Sequence, residues 1–184
     1  MTSEQSAEKH DGEATWRVRL GEWRTLAEQR DAAYRLLGEL VGEEVAVAHD
    51  ASGAPFLPDC PHLYVSVSHC AKAVAAAVCG GKRVGIDVES RRRISDGLMA
   101  RVCSPAEQTA IHASPDPTMA FLQLWTRKEA VLKMRGMGIR GFTSMVEALS
   151  GDDCQIVDLE SGNRDVVAAL AVGLEREPAP PTDV

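Results

Sequence analysis

Two hydrophobic periods divide this chain. Leu26, Ala33, Leu36, Leu37, Leu40 and Val41 recur at helical spacing, which predicts a helix from about Trp23 to Val41 with Gly42 ending it. Further on, Leu63, Val65 and Val67 alternate with Tyr64, Ser66 and Ser68, the two-residue period of a strand. The runs Ala73–Val78 and Arg83–Glu89 are strand-like and flank Gly80-Gly81, a pattern that predicts a hairpin. Ser104-Pro-Ala-Glu107 opens a helix: the serine caps, the proline suits the first turn and the glutamate completes a capping box. A longer helix is expected from about Thr118 to Arg135, closed by Gly136 or Gly138. Gln155–Leu159 and Val166–Leu174 read as closing strands, and Ala51-Ser-Gly-Ala-Pro55 as a loop. Strands and helices mix without regular alternation, so the class expected is α+β.

Composition narrows this picture. The chain has 184 residues, 45% of them hydrophobic, enough for one core or two small joined halves. Residues 1–13 and the proline-rich stretch 175–184 are expected to be disordered. A formal net charge of -7 argues against a non-specific nucleic-acid binder. No apolar run approaches the roughly 18 residues of a membrane span, and residues 1–13 show no apolar leader; the expected setting is the cytoplasm. The cysteines, Cys60, Cys70, Cys79, Cys103 and Cys154, have spacings that suit neither a zinc site nor a disulfide framework, so free thiols are expected.

Three stretches carry candidate chemistry. In Val84-Gly-Ile-Asp-Val-Glu89, residues two apart on a strand share a face, so Asp87 and Glu89 face one way and Ile86 and Val88 the other. Adjacent carboxylates repel, and a hard divalent cation relieves that; the same alternation also describes a wet sheet face. In Trp125-Thr-Arg-Lys-Glu-Ala-Val-Leu-Lys133, four-residue steps place Trp125, Glu129 and Lys133 along one helix face, with Phe121, Leu124, Val131 and Leu132 available for the buried side. Glu129 and Lys133 are equally readable as an exposed stabilising pair. In Val65-Ser-Val-Ser-His69, Ser68 and His69 offer adjacent donors for a phosphate, although a lone histidine after a strand is commonly structural. Cys70 beside His69 is not expected to form a catalytic dyad, because neighbours on an extended chain diverge.

In order, Ser68-His69, Gly85-Ile86-Asp87-Val88-Glu89 and Trp125-Thr-Arg-Lys128-Glu129-Ala-Val-Leu-Lys133, followed by Gly136-Met-Gly138, resemble the 4′-phosphopantetheinyl transferase superfamily. The resemblance covers Arg24 to Leu149 and favours its pseudodimeric, surfactin-synthetase-activating type. It implies two pseudo-symmetric α+β halves, 14–84 and 85–174, with coenzyme A in the cleft between them. The implied reaction moves the phosphopantetheine arm of coenzyme A to a serine of an acyl or peptidyl carrier protein. Asp87, Glu89 and Glu129 would hold Mg²⁺, Glu129 would help deprotonate the serine, and Lys133 would meet the departing 3′,5′-ADP. Arg30, Ser68 and His69 would recognise phosphates, with Lys128 adding positive charge. Glu107 stands either as an alternative base or as a helix cap. Such a pseudodimer, with its site inside one chain, can work as a monomer.

Two departures from the family pattern concern the nucleotide. Gly53-Ala54-Pro55 stands where relatives often carry Gly-Lys-Pro, which removes one possible contact, and the first half is short, with Trp16–Leu20 as its candidate early strand. Arg91-Arg-Arg93 reads as a solvated turn, or alternatively as an attractor for acidic carrier helices. Competing functions are a non-catalytic relative that binds coenzyme A or carriers and a Mg²⁺-dependent nucleotide hydrolase.

Overall fold

A computed structural model describes residues 4–6, 14–42, 44–137 and 145–174 of the chain. Its architecture is α+β, built on two antiparallel sheets. The first contains β1 (Glu4–Ser6), β2 (Thr15–Leu20), β5 (Leu63–Cys70) and β6 (Ala73–Gly80), in the order β1-β2-β6-β5. The second contains β7 (Val84–Ser90), β8 (Cys154–Leu159) and β9 (Val166–Gly173), in the order β7-β9-β8. A small ribbon, β3 (Ala48–His49) with β4 (Pro55–Phe56), frames the predicted 51–55 loop. The helices are α1 (Leu26–Val41), α2 (Asp96–Val102), α3 (Pro105–Ala113) and α4 (Pro117–Met134).

Local chemistry sets the helix ends. Thr25 caps α1: its side chain accepts from the Glu28 amide at 3.2 Å, and Glu28 accepts in return from the Thr25 amide at 3.1 Å. This reciprocal cap starts the helix later than the hydrophobic period suggested. Gly42, at φ 92, ends it in the left-handed region that glycine tolerates. The predicted capping box of α3 forms between Ser104 and Glu107. α4 closes through Arg135 and Gly136, the latter at φ 68. Gly138, the other candidate stop, lies outside the described residues.

Residues of alternating parity separate the layers. Ala73, Ala75, Ala77 and Cys79 of β6 join Val84, Ile86 and Val88 of β7 and Ala168 and Leu170 of β9 in one buried cluster between the sheets. The opposite face of the first sheet, Val65, Val74, Ala76 and Val78, packs on Ala33, Leu36, Leu37 and Leu40 of α1. On the second sheet, Ala169 and Ala171 pack on Ala130, Val131 and Met134 of α4. Each sheet therefore carries one long helix on the face turned away from the other.

Three expectations change. Gly80-Gly81 does not turn a hairpin: β6 pairs with β2 and β5, while β7 pairs with β9, so the glycines link two sheets. The hairpin is β5–β6, turning at Ala71-Lys72, whose carbonyls accept from Trp23 N at 3.3 Å and Gly21 N at 3.1 Å. β1 falls inside the stretch expected to be disordered, and Trp16–Leu20 does supply a strand, β2. The remainder of residues 1–13, and residues 175–184, lie outside the described residues. Finally, Arg91 is no free surface charge: its Nε reaches Asp165 at 2.7 Å and its Nη atoms reach Asp116. The cysteines are free, as expected, and no described helix is long and apolar enough to cross a membrane.

Gly85 sets how close α4 comes to β7. A Cβ there would lie 2.0 Å from the Ala130 carbonyl oxygen and 2.5 Å from the Met134 amide nitrogen, both backbone atoms of α4. Because backbone cannot swing aside, Gly85→Ala is expected to cost about 3 kcal/mol by overpacking. Urea denaturation measures this; an unchanged midpoint would show that the helix does not depend on the glycine.

Candidate active site

The contact of α4 with β7 places the candidate residues. Gly85, Asp87 and Glu89 share the strand face turned toward α4, and Ile86 and Val88 point into the core between the sheets. The wet-face reading of this strand is excluded, because Asp87 is only 6% exposed. Its Oδ1 accepts from Lys133 Nζ at 2.7 Å and from Ser68 Oγ at 2.8 Å. Lys133 also donates to the Ile86 carbonyl at 3.0 Å. Lys133 is thus tied to the sheet rather than to Glu129, its helical neighbour four residues earlier.

Ser68 comes from the first sheet and meets this centre from the other side. Its hydroxyl accepts from the Val88 amide at 3.3 Å, as Ser66 Oγ accepts from the Ile86 amide at 3.1 Å. Two buried serines of β5 thereby satisfy amides on the edge of β7 that no strand pairs, which explains the polar positions of the Val-Ser-Val-Ser alternation. His69 is half-buried, with its Nδ1 3.2 Å from Oε1 of the buried Gln29 on α1. Burial, reinforced by the positive charges of Lys133 and Arg30, pushes its imidazole below the usual histidine range. Arg30 itself is exposed, on α1.

The acids crowd one another. Burial raises the Glu129 carboxyl above the usual range; Asp87 and Glu89 add to that rise, against the pull of Lys133. Burial likewise raises Glu89, whereas the Arg92 hydrogen bond lowers it. Arg92 grips Glu89 with two 3.2 Å hydrogen bonds.

Asp87 Oδ2 is buried and has no hydrogen-bond partner among the described residues. A buried carboxylate oxygen left this way is costly. An orphaned carboxylate oxygen with two further carboxylates close enough to raise one another's pKa is, by its chemistry, a donor set that suits a hard divalent cation. As they stand, no three His, Cys, Asp or Glu side chains among the described residues are gathered tightly enough to hold one.

Of these groups Glu129 and Lys133 line a cleft of about 550 Å³, whose other walls include Tyr34, His49, Ser66 and Val67. A larger hollow of about 920 Å³ runs along α1 past Arg17, Asp31 and Glu39 and holds none of the acid–lysine centre. Tyr34 and His49, joined Oη to Nε2 at 2.8 Å, were not singled out in the sequence; they belong to no motif, and only the fold brings β3 against α1. Gln29 was missed too, although it lies next to Arg30, and Arg92 was read only within the Arg91–Arg93 triplet, with no link to Glu89.

Lys128 departs from expectation. It is 1% exposed and donates to the Val102 carbonyl at 2.8 Å, to Glu107 Oε2 at 2.8 Å and to the Val146 carbonyl at 3.4 Å. One residue along a helix turns the side chain by about 100°, so Lys128 points away from the cleft that Glu129 lines. Glu107 is held in the same network, accepting from the Ser104 amide at 2.7 Å. Cap and ion pair account for this carboxylate structurally, and the structure does not bring it to Asp87.

An α+β frame that sets a buried aspartate and its part-exposed lysine beside two further acids, next to a cleft, defines a site for a charged ligand. Residues 83–170 match the model of the 4′-phosphopantetheinyl transferase superfamily. The chain is similar to the 4′-phosphopantetheinyl transferase Sfp of Bacillus subtilis, 32% identical over 89 residues, 47% of this chain and 39% of that protein. It is also similar to the 4′-phosphopantetheinyl transferase HetI of Nostoc, 32% identical over 125 residues, 62% of this chain and 53% of that protein. With the 4′-phosphopantetheinyl transferase AcpT of Escherichia coli K12 it shares 28% identity over 138 residues, 70% of each. The matched segment carries Asp87, Glu89, Glu129 and Lys133 of the site. The match spans only about two fifths of the length of the Bacillus subtilis relatives.

The raised Glu129 carboxyl has a consequence for stability. Its pKa is higher folded than unfolded, so its charge costs stability above the folded pKa, and the cost fades as pH falls toward the unfolded value. Without divalent cations, Glu129→Gln is therefore expected to raise the melting temperature at neutral pH, with the gain shrinking under acid. Thermal scans across pH measure it, and a variant less stable than the parent at pH 7 would contradict the assignment.

Proposed function

We propose that this protein transfers the 4′-phosphopantetheine arm of coenzyme A to a serine of an apo acyl or peptidyl carrier protein, releasing 3′,5′-ADP. The observation that carries the reading is the Asp87 centre. One of its carboxylate oxygens is shared by Lys133 and Ser68, while the other is buried without a partner among the described residues, near Glu129, which with Lys133 lines the cleft.

The carrier serine oxygen attacks the pyrophosphate phosphorus that bears the pantetheine arm. A new P–O bond forms to serine, and the P–O bond to 3′,5′-ADP breaks. Glu129 takes the serine proton, directly or through a water; burial raises its affinity for that proton. Lys133, half-exposed at the cleft and already bonded to Asp87, meets the charge that collects on the departing 3′,5′-ADP. Ser68, His69 and Arg30 approach from the first sheet and α1 and recognise phosphate oxygens. Asp87, Glu89 and Glu129 would hold Mg²⁺, which when bound neutralises charge on the pyrophosphate. The functional unit is one chain, since the first sheet and α4 of that chain together line the cleft. Lys128 and Glu107 are not part of this machinery.

The deciding experiment mixes the protein with apo carrier, coenzyme A and Mg²⁺ and follows intact mass. The expected result is a carrier heavier by one phosphopantetheine, with stoichiometric 3′,5′-ADP. Glu129→Ala and Asp87→Ala should each lower the rate about a hundredfold or more, with circular dichroism verifying the fold. No modification of any of several acyl and peptidyl carriers overturns the proposal. Cleavage of coenzyme A without carrier would point instead to a hydrolase, and coenzyme A binding without turnover to a non-catalytic relative.

A further inference from the structure

Arg92 stands out among the charged residues that this reaction does not use. Its Nε donates to Glu89 Oε2 and its Nη2 to Glu89 Oε1, both at 3.2 Å, so one guanidinium engages both oxygens of the carboxylate. An ordinary surface pair three residues apart would be worth little and would exchange freely with water. This pair is different in two respects. Glu89 has a side chain only 19% exposed, and the Arg92 guanidinium lies 5.9 Å from the centroid of the Trp125 ring. Trp125 in turn stacks on Phe121 at 6.1 Å between ring centres, and Phe121 is fully buried. The cation is thereby held on a platform rooted in the core of α4.

Oxygen use differs across the acids. Asp87 keeps Oδ2 buried and unpartnered. Glu129 has no hydrogen bond or ion pair among the described residues. Glu89 alone has both oxygens committed, and to a positive charge. A fork of this kind satisfies a carboxylate geometrically as well as electrostatically.

Resting on the reading of Asp87, Glu89 and Glu129 as a cation site, we infer that Arg92 is a positioning residue that occupies the place of the metal at Glu89, held there by Trp125, and that an incoming divalent ion takes Glu89 from it. A carboxylate already bonded through both oxygens must loosen at least one of those bonds before it ligates, and the arginine charge repels the arriving cation. Arg92 therefore weakens metal binding in the resting protein. It also explains the tryptophan at this position of the helix face, because Trp125 supports the guanidinium and not a ligand directly. No bond is made or broken other than hydrogen bonds and coordination, so the exchange needs no co-reactant.

The test titrates the protein alone with Mn²⁺ as the probe for Mg²⁺, reading free Mn²⁺ by electron paramagnetic resonance, with no coenzyme A or carrier present. Arg92→Met is expected to tighten Mn²⁺ binding roughly tenfold, equivalent to about 1.4 kcal/mol. Arg92→Lys, which keeps the charge and loses the fork, is expected to tighten it by less. Should the methionine variant fail to fold, the lysine variant decides. Unchanged or weaker binding in the deciding variant overturns the inference, because Arg92 would then support the site rather than compete with the ion. Parent protein that takes up no Mn²⁺ overturns both this inference and the metal assignment. If the parent binds Mn²⁺ and Asp87→Ala does not, the metal assignment stands, and the Arg92 variants judge the inference separately.

Discussion

The site depends on how closely one helix backbone approaches one strand. At Gly85 the absent side chain lets Ala130 and Met134 of α4 rest on the strand at backbone distance. Glu129 and Lys133 each immediately precede one of those two residues on the helix, and Lys133 reaches the strand at the Ile86 carbonyl. Asp87, two residues along the same strand face, lies within reach of the lysine at 2.7 Å. A side chain at residue 85 would lift the helix, and the acid–lysine geometry would be lost with every side chain of the site still in place. Packing is thus upstream of electrostatics in this protein.

The two sheets are joined with comparable economy. β5 and β7 form no ladder with each other. Instead, the hydroxyls of Ser66 and Ser68 accept from the amides of Ile86 and Val88. This side-chain substitute for a ladder satisfies donors that would otherwise be buried and unpaired. It also brings Ser68 to Asp87, so the contact that closes the structure contributes to the cleft. Hydrophobic burial between the sheets, through the alanines of β6 and the valines and isoleucine of β7, supplies the non-directional part of the attraction. The serines fix its register.

Much of this was legible because it is local. The period of α1, the capping box at Ser104-Glu107 and the shared face of Asp87 and Glu89 follow from spacing within a few residues. The convergence of Glu129 and Lys133 on that face came with the family resemblance, and spacing by itself left it open. What was not legible depends on partners distant in sequence. Gly80-Gly81 has the composition of a hairpin, but β6 finds better partners in β2 and β5, and the glycines become a crossing between sheets. Lys128 sits next to Glu129 in a motif, yet helical rotation sends it into the interior, onto Val102, Val146 and Glu107. Arg91 and Arg92, in a triplet that reads as a wet turn, are each committed to acids. Local pattern gives the face of a residue; only the assembled fold gives its partner.

Lys128 and Lys133 show how far environment outweighs residue type. Both are lysines on α4, five positions apart. Lys128 is enclosed, with its ammonium shared between carbonyls and Glu107, so it ties α4 to the ends of α2 and α3 and presents no charge to the cleft. Lys133 is part-exposed and shares its charge with an aspartate that still has a free oxygen. Three carboxylates, Asp87, Glu89 and Glu129, therefore crowd together, and Lys133 and Arg92 already engage the first two. Near them α1 carries Arg30, and β5 carries His69, whose pKa burial lowers. Crowded acids and a nearby arginine make opposite demands, since positive charge eases the former and an anion satisfies the latter. A ligand of one sign meets only one of these demands, so the charge pattern favours ligands of both signs together.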